Sequence, residues 1–61
     1  MKTEIEKRGT IIDVFAVIEG KKKFIGNVYE LTDKYSDGFN NHATMHGAVD
    51  AVIKAYKKVN K

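Results

Sequence analysis

Two histidines, His42 and His46, stand four residues apart, a spacing that on a helix brings both imidazoles to one face, as a metal site requires. A third and a fourth ligand would then have to come from Asp37, Asn40 or Asp50, because the chain contains no cysteine. Two polar residues beside a helix start are the simpler account, and no metal is expected. The segment Asp33 to Thr44, DKYSDGFNNHAT, places acids at its first and fifth positions and glycine at its sixth, like a calcium loop. Tyr35 occupies the third position and Thr44 the twelfth, where a bidentate glutamate belongs, so the match fails and an acidic turn is expected.

Nucleophilic chemistry has little to work with. Ser36 is the single serine, six residues from His42, and that spacing says nothing about a nucleophile and base in contact. Glu30, Asp33 and Asp37 could pair for acid and base work, yet a domain this small has little depth in which to shift a carboxyl pKa. The glycines stand singly, so there is no phosphate-cradling loop. The expectation is a protein that binds rather than catalyses, with no cofactor.

Positive charge is the next signal. Eleven Lys and Arg against eight Asp and Glu give a formal net charge of +3, modest for a dedicated nucleic-acid binder. Where the cations sit depends on the elements that carry them.

Sixty-one residues leave room for one hydrophobic core and one domain, and with no disulfide available the remaining route to extra stability is a partner. Residues 1–9 alternate acids and bases and read as a flexible or strand-extending segment. The apolar run that follows spans eight residues and is broken by Asp13, which is neither a signal peptide nor a membrane span. A cytoplasmic protein without membrane association is expected.

TIIDVFAVI, Thr10 to Ile18, is rich in β-branched residues and is the strongest strand. Glu19-Gly20-Lys21-Lys22 supplies a break, and Lys23 to Leu31 resumes the alternation, so the two read as a hairpin. Thr32 to Gly38 is a second turn, and Phe39 to Ala43 a short third strand. Thr44 is a fitting N-cap for a helix whose apolar stripe is Met45, Ala48, Val49, Val52, Ile53, Tyr56 and Val59. The expected fold is α+β, a three-stranded antiparallel β-meander packed on one C-terminal helix.

A turn through Gly20, Lys21 and Lys22 would set Ile18 opposite Phe24 and Val14 opposite Val28. One sheet face then holds Ile12, Val14, Ala16, Ile18, Phe24 and Val28, and the reverse holds Ile11, Phe15, Val17, Ile25, Tyr29 and Leu31. One helix covers one face, so an apolar face is left over, and a protein partner or a second copy of the chain is expected to bury it. In a three-stranded meander the helix end returns to the pole of the N-terminal segment. That pole would gather Lys7, Arg8, Lys34, Lys54, Lys57, Lys58 and Lys61, with Lys21, Lys22 and Lys23 at the opposite tip. Such a pole could neutralise phosphates, with Tyr35 and Phe39 near the second turn available to stack on bases or to close the edge of the core.

The stretch from Gly38 through the helix, a short strand, a Thr and an Ala-rich amphipathic helix, resembles the end of a double-stranded-RNA-binding domain. It departs from that family in lacking a lysine in Thr44-Met45-His46-Gly47 and in lacking a first helix. The order of strand, hairpin and helix is also similar to antitoxins of the HicB type. Neither resemblance carries a functional residue onto this chain. What remains is a small interaction module, a regulator or inhibitor of the phage or mobile-element kind acting through its spare face, with nucleic-acid binding at the basic pole as the alternative.

Overall fold

A computed structural model describes residues 2–59 of the chain; Lys61 of the expected basic pole lies outside them. Within these residues the order is β1 (Lys2–Arg8), β2 (Ile11–Ile18), β3 (Lys21–Glu30), β4 (Tyr35–Ser36), β5 (Asn41–His42) and α1 (Met45–Val59). The strands form one antiparallel sheet in sequence order, β1-β2-β3-β4-β5. The α+β class and the C-terminal helix are as the sequence implies, but the sheet has five strands and not three.

Both additional strands have local causes. Lys2–Arg8 pairs along its whole length with β2, from Lys2 opposite Val17 to Arg8 opposite Ile11. Gly9, at φ 61, opens the two-residue turn between them, the conformation a type II′ hairpin needs at its first central position. Farther on, the region expected to be a plain turn folds back on β3: Ser36 pairs with Tyr29 and Tyr35 with Glu30 before the chain turns again into β5.

The β2–β3 turn is tighter than the sequence suggests. Ile18 faces Lys21 directly, and Glu19 and Gly20 are the two turn residues, both at positive φ (53 and 77), as a type I′ turn demands. A register shift follows between Val14 and Phe15: Val14 faces Gly26 while Phe15 faces Phe24, so Ile25 is the extra residue of a β-bulge. The expected pairings of Ile18 with Phe24 and of Val14 with Val28 are therefore corrected. Phe24 moves to the face of Phe15, and Ile25 packs against the core on the helix side.

The core is thin and built from short side chains. Ile12, Val14, Ala16 and Val28 of the sheet are fully buried, and Ala48, Val49 and Val52 of α1 close over them. Thr44 caps the helix, its Oγ1 accepting a hydrogen bond from the Gly47 amide at 3.1 Å. Gly26 sets how closely the helix can sit, since a Cβ there would lie 2.8 Å from Val52 Cγ1. Gly26→Ala should therefore destabilise the fold by about 1–3 kcal/mol through overpacking, although alanine in a strand would otherwise be favoured over glycine. Chemical denaturation of Gly26→Ala, Val52→Ala and the double variant should give a double-variant loss smaller than the sum of the single losses. Additive losses would mean that the two positions do not press on one another.

Candidate functional site

The sheet face turned away from α1 is ordered in cross-strand rows. Lys2, Val17 and Lys22 form one, Glu4, Phe15 and Phe24 the next, then Glu6, Asp13 and Asn27, and last Arg8, Ile11 and Tyr29. Of the residues expected on this face, Ile11, Phe15, Val17 and Tyr29 are there. Leu31 follows the end of β3 and is exposed, Ile25 has left for the core, and Phe24 has taken its place. The bulge that exchanges Phe24 for Ile25 leaves no signature in the sequence, because both are apolar and neighbours in the chain.

Charged side chains cross this face and hold its aromatic centre. Arg8 forks onto Asp13, Nε donating to Oδ2 at 2.7 Å and Nη2 to Oδ1 at 3.0 Å, and Asn27 Nδ2 donates to the same Oδ1 at 2.7 Å. Asp13 is buried, and the hydrogen bond from Arg8 is the first cause holding its carboxyl below the usual range, against the cost of its desolvation. Lys22 reaches across to Glu6 and lies 3.9 Å from Glu4, with its ammonium 4.3 Å from the centroid of Phe15. Phe15 and Phe24 meet edge to face at 5.8 Å. Phe24 is still 52% exposed and Tyr29 40%, so two aromatic rings stand open on β3.

The turn between β4 and β5 holds a second cluster. Asp37 Oδ1 accepts from the amides of Phe39 and Asn40, both at 2.7 Å, and its Oδ2 lies 2.8 Å from His42 Nε2. These bonds, that of Asn40 first and then those of His42 and Phe39, push the Asp37 pKa down to about 2. His46 pairs at 4.0 Å with Asp50 on the helix, so the two histidines serve different carboxylates. Among the described residues no group of three or more His, Cys, Asp or Glu could hold a metal ion. Asp13 and Asp37 are both held below the ordinary carboxyl range by the hydrogen bonds they accept. Tyr35 packs on the core, whereas Phe39 is 91% exposed beside an apolar groove of about 630 Å3 whose lining includes Ile25, Val52, Ala55 and Tyr56.

The expected basic pole is not assembled. Lys7, bonded to Glu30, and Arg8 lie at the end of the sheet where β3 leads into Lys34. The helix starts at that end and runs away from it: Val52 sits over Gly26, and the Tyr56 ring stands 5.4 Å from the Lys23 ammonium. Lys57 and Lys58 therefore lie at the tip of the β2–β3 hairpin, with Lys54 one turn behind them.

No family model matches this chain, and neither does any curated protein or solved structure. Among the described residues no helix is long and apolar enough to cross a membrane.

Asp37 gives a sign for pH dependence. Its folded pKa lies below the ordinary 3.8, so its stabilisation is complete above that value and is lost as pH falls through about 2; the lowered Asp13 acts in the same sense. The urea midpoint should fall between about pH 4 and about pH 2, and Asp37→Asn should be less stable than wild type at neutral pH and lose part of that acid fall. A wild-type midpoint constant across this window would contradict the assignment.

Proposed function

We propose that this chain is a small non-enzymatic binding module, a regulator or inhibitor acting through protein–protein contact, and that its helix-free sheet face is the contact surface. The observation that carries this reading is the pair of open rings, Phe24 and Tyr29, on a face whose centre is already apolar through Ile11, Phe15 and Val17. Aromatic side chains on a rigid strand are strong interface anchors, because little freedom is lost when they are covered.

A second copy of the chain is the first partner to fit. The molecule measures 36 × 23 × 14 Å, and its broad face offers about 800 Å2, the share each partner gives to an interface of standard size. Lys2, Arg8 and Lys22 on this face are matched by Glu4, Glu6 and Asp13, so two copies can meet about a two-fold axis without net repulsion. Burying the exposed parts of two aromatic rings on each copy supplies a few kcal/mol at about 25 cal/mol per Å2.

Sedimentation equilibrium at tens of micromolar should find the wild type as a dimer. Phe24→Glu with Tyr29→Glu should weaken association by at least about 100-fold, equivalent to about 2.7 kcal/mol, while far-UV circular dichroism stays unchanged. A wild type that remains strictly monomeric at high micromolar concentration rules out the dimer.

A further inference from the structure

We infer that the end of the molecule formed by the β2–β3 turn and the C-terminal turn of α1 binds the phosphodiester backbone of nucleic acid. Lys2 and Lys22 share a row of the sheet face with Val17, whereas Lys21, Lys23, Lys57 and Lys58 lie off that face, and the inference does not rest on dimerisation. The fold brings together lysines from three separate stretches of the chain. Lys2 sits opposite Val17, whose other neighbour is Lys22, and Lys21 stands at the turn opposite Ile18. The contact of Lys23 with Tyr56 then places Lys57 and Lys58 alongside.

Carboxylates are distributed the other way. At the opposite end Lys7 is paired with Glu30 and Arg8 with Asp13, and Lys34 follows Asp33 in the chain. Among the described residues the acids at the lysine end are Glu4 and Glu6, which hold Lys22, and Glu19 at the turn itself. Among the described residues no carboxylate lies within 4.0 Å of the ammonium groups of Lys21, Lys23, Lys57 or Lys58.

Stabilisation of the helix end accounts for Lys57 and Lys58, since cations offset the negative pole of α1 there. It does not account for Lys21 on the facing hairpin, and Lys23, whose ammonium stands over the Tyr56 ring, brings a further cation to the same end, so like charges gather there. A ligand that relieves the repulsion must carry closely spaced negative charge and make no demand for bidentate geometry, since lysine ammonium groups are rotatable point charges. A phosphodiester backbone has this character, and binding it is favoured further by the release of condensed counterions.

Fluorescence anisotropy with labelled single-stranded DNA, single-stranded RNA and duplex DNA, titrated from about 20 to about 200 mM salt, tests the assignment. Binding should be measurable at the low end and weaken linearly in log salt. Replacing Lys21, Lys23, Lys57 and Lys58 together by Gln should flatten the slope by about three, whereas Lys7→Gln with Lys34→Gln should leave it unchanged. Circular dichroism and thermal melting of each variant check that the fold is intact. No binding to any of the three probes at low salt would overturn the inference, as would a quadruple variant that binds like wild type. Displacement of the oligonucleotide by poly-glutamate at equal charge concentration would also overturn it, and would assign the patch to an acidic protein. Because the quadruple lysine variant keeps Phe24 and Tyr29, loss of nucleic-acid binding and loss of dimerisation are separately observable.

Discussion

One fifteen-residue helix has to cover a five-stranded sheet, and most of what is particular to this molecule follows from that. A helix is about 10 Å across, so it shields two or three strands and leaves the rest of its own side as open grooves. It gains depth by sitting low. Ala16 and Gly26 beneath it and Ala48 on its inner surface remove the bulk that would hold it away, and the fully buried side chains are no larger than Ile12, Val14 and Val28. A core this shallow cannot also provide for the reverse face, which has to be stabilised by interactions within its own rows.

The reverse face does this with charge laid over apolar surface. Lys22 spans Phe15 to reach Glu6, and Arg8 spans to Asp13, so the long side chains of the flanking strands lie across the central strand. Exposed ion pairs contribute little on their own. Here they fix the positions of side chains whose stems cover apolar surface, and the cover ends where the charges end, leaving Phe24 and Tyr29 open. The bulge at Ile25 makes this arrangement possible. Without the extra residue Phe24 would point at the helix, and the aromatic pair with Phe15 would not exist.

The sequence is explicit about the elements whose signals are local. Alternating β-branched residues give β2, the stripe from Met45 to Val59 gives α1, and Thr44 announces the helix start. It is silent where a signal needs a partner to be recognised. In KTEIEKR only Thr3 and Ile5 mark an inner side among charges of both signs, which is also what an edge strand protected against pairing looks like. Tyr35–Ser36 is two residues long and pairs only because β3 runs beside it. The exchange of Phe24 for Ile25 depends on a two-residue turn at Glu19, a residue with no strong preference for positive φ.

The missed short strand had the largest effect, because antiparallel strands alternate in direction. With three strands from Thr10 onward the helix would begin at the hairpin tip and end beside Lys7 and Arg8. Inserting β4 adds one reversal, so α1 begins beside Tyr35 and His42 and ends at the tip. Residue types and spacings are unchanged by this reversal, yet it moves Lys57 and Lys58 from one end of the molecule to the other. The acids do not move with them, being held at Asp13, Glu30 and Asp37 by bonds that belong to the sheet and its turns. Strand parity therefore decides the electrostatics: the basic pole that a three-stranded fold would gather is split, leaving Lys7 and Arg8 in matched pairs at one end and, at the other, Lys21, Lys23, Lys57 and Lys58 with no carboxylate within 4.0 Å among the described residues.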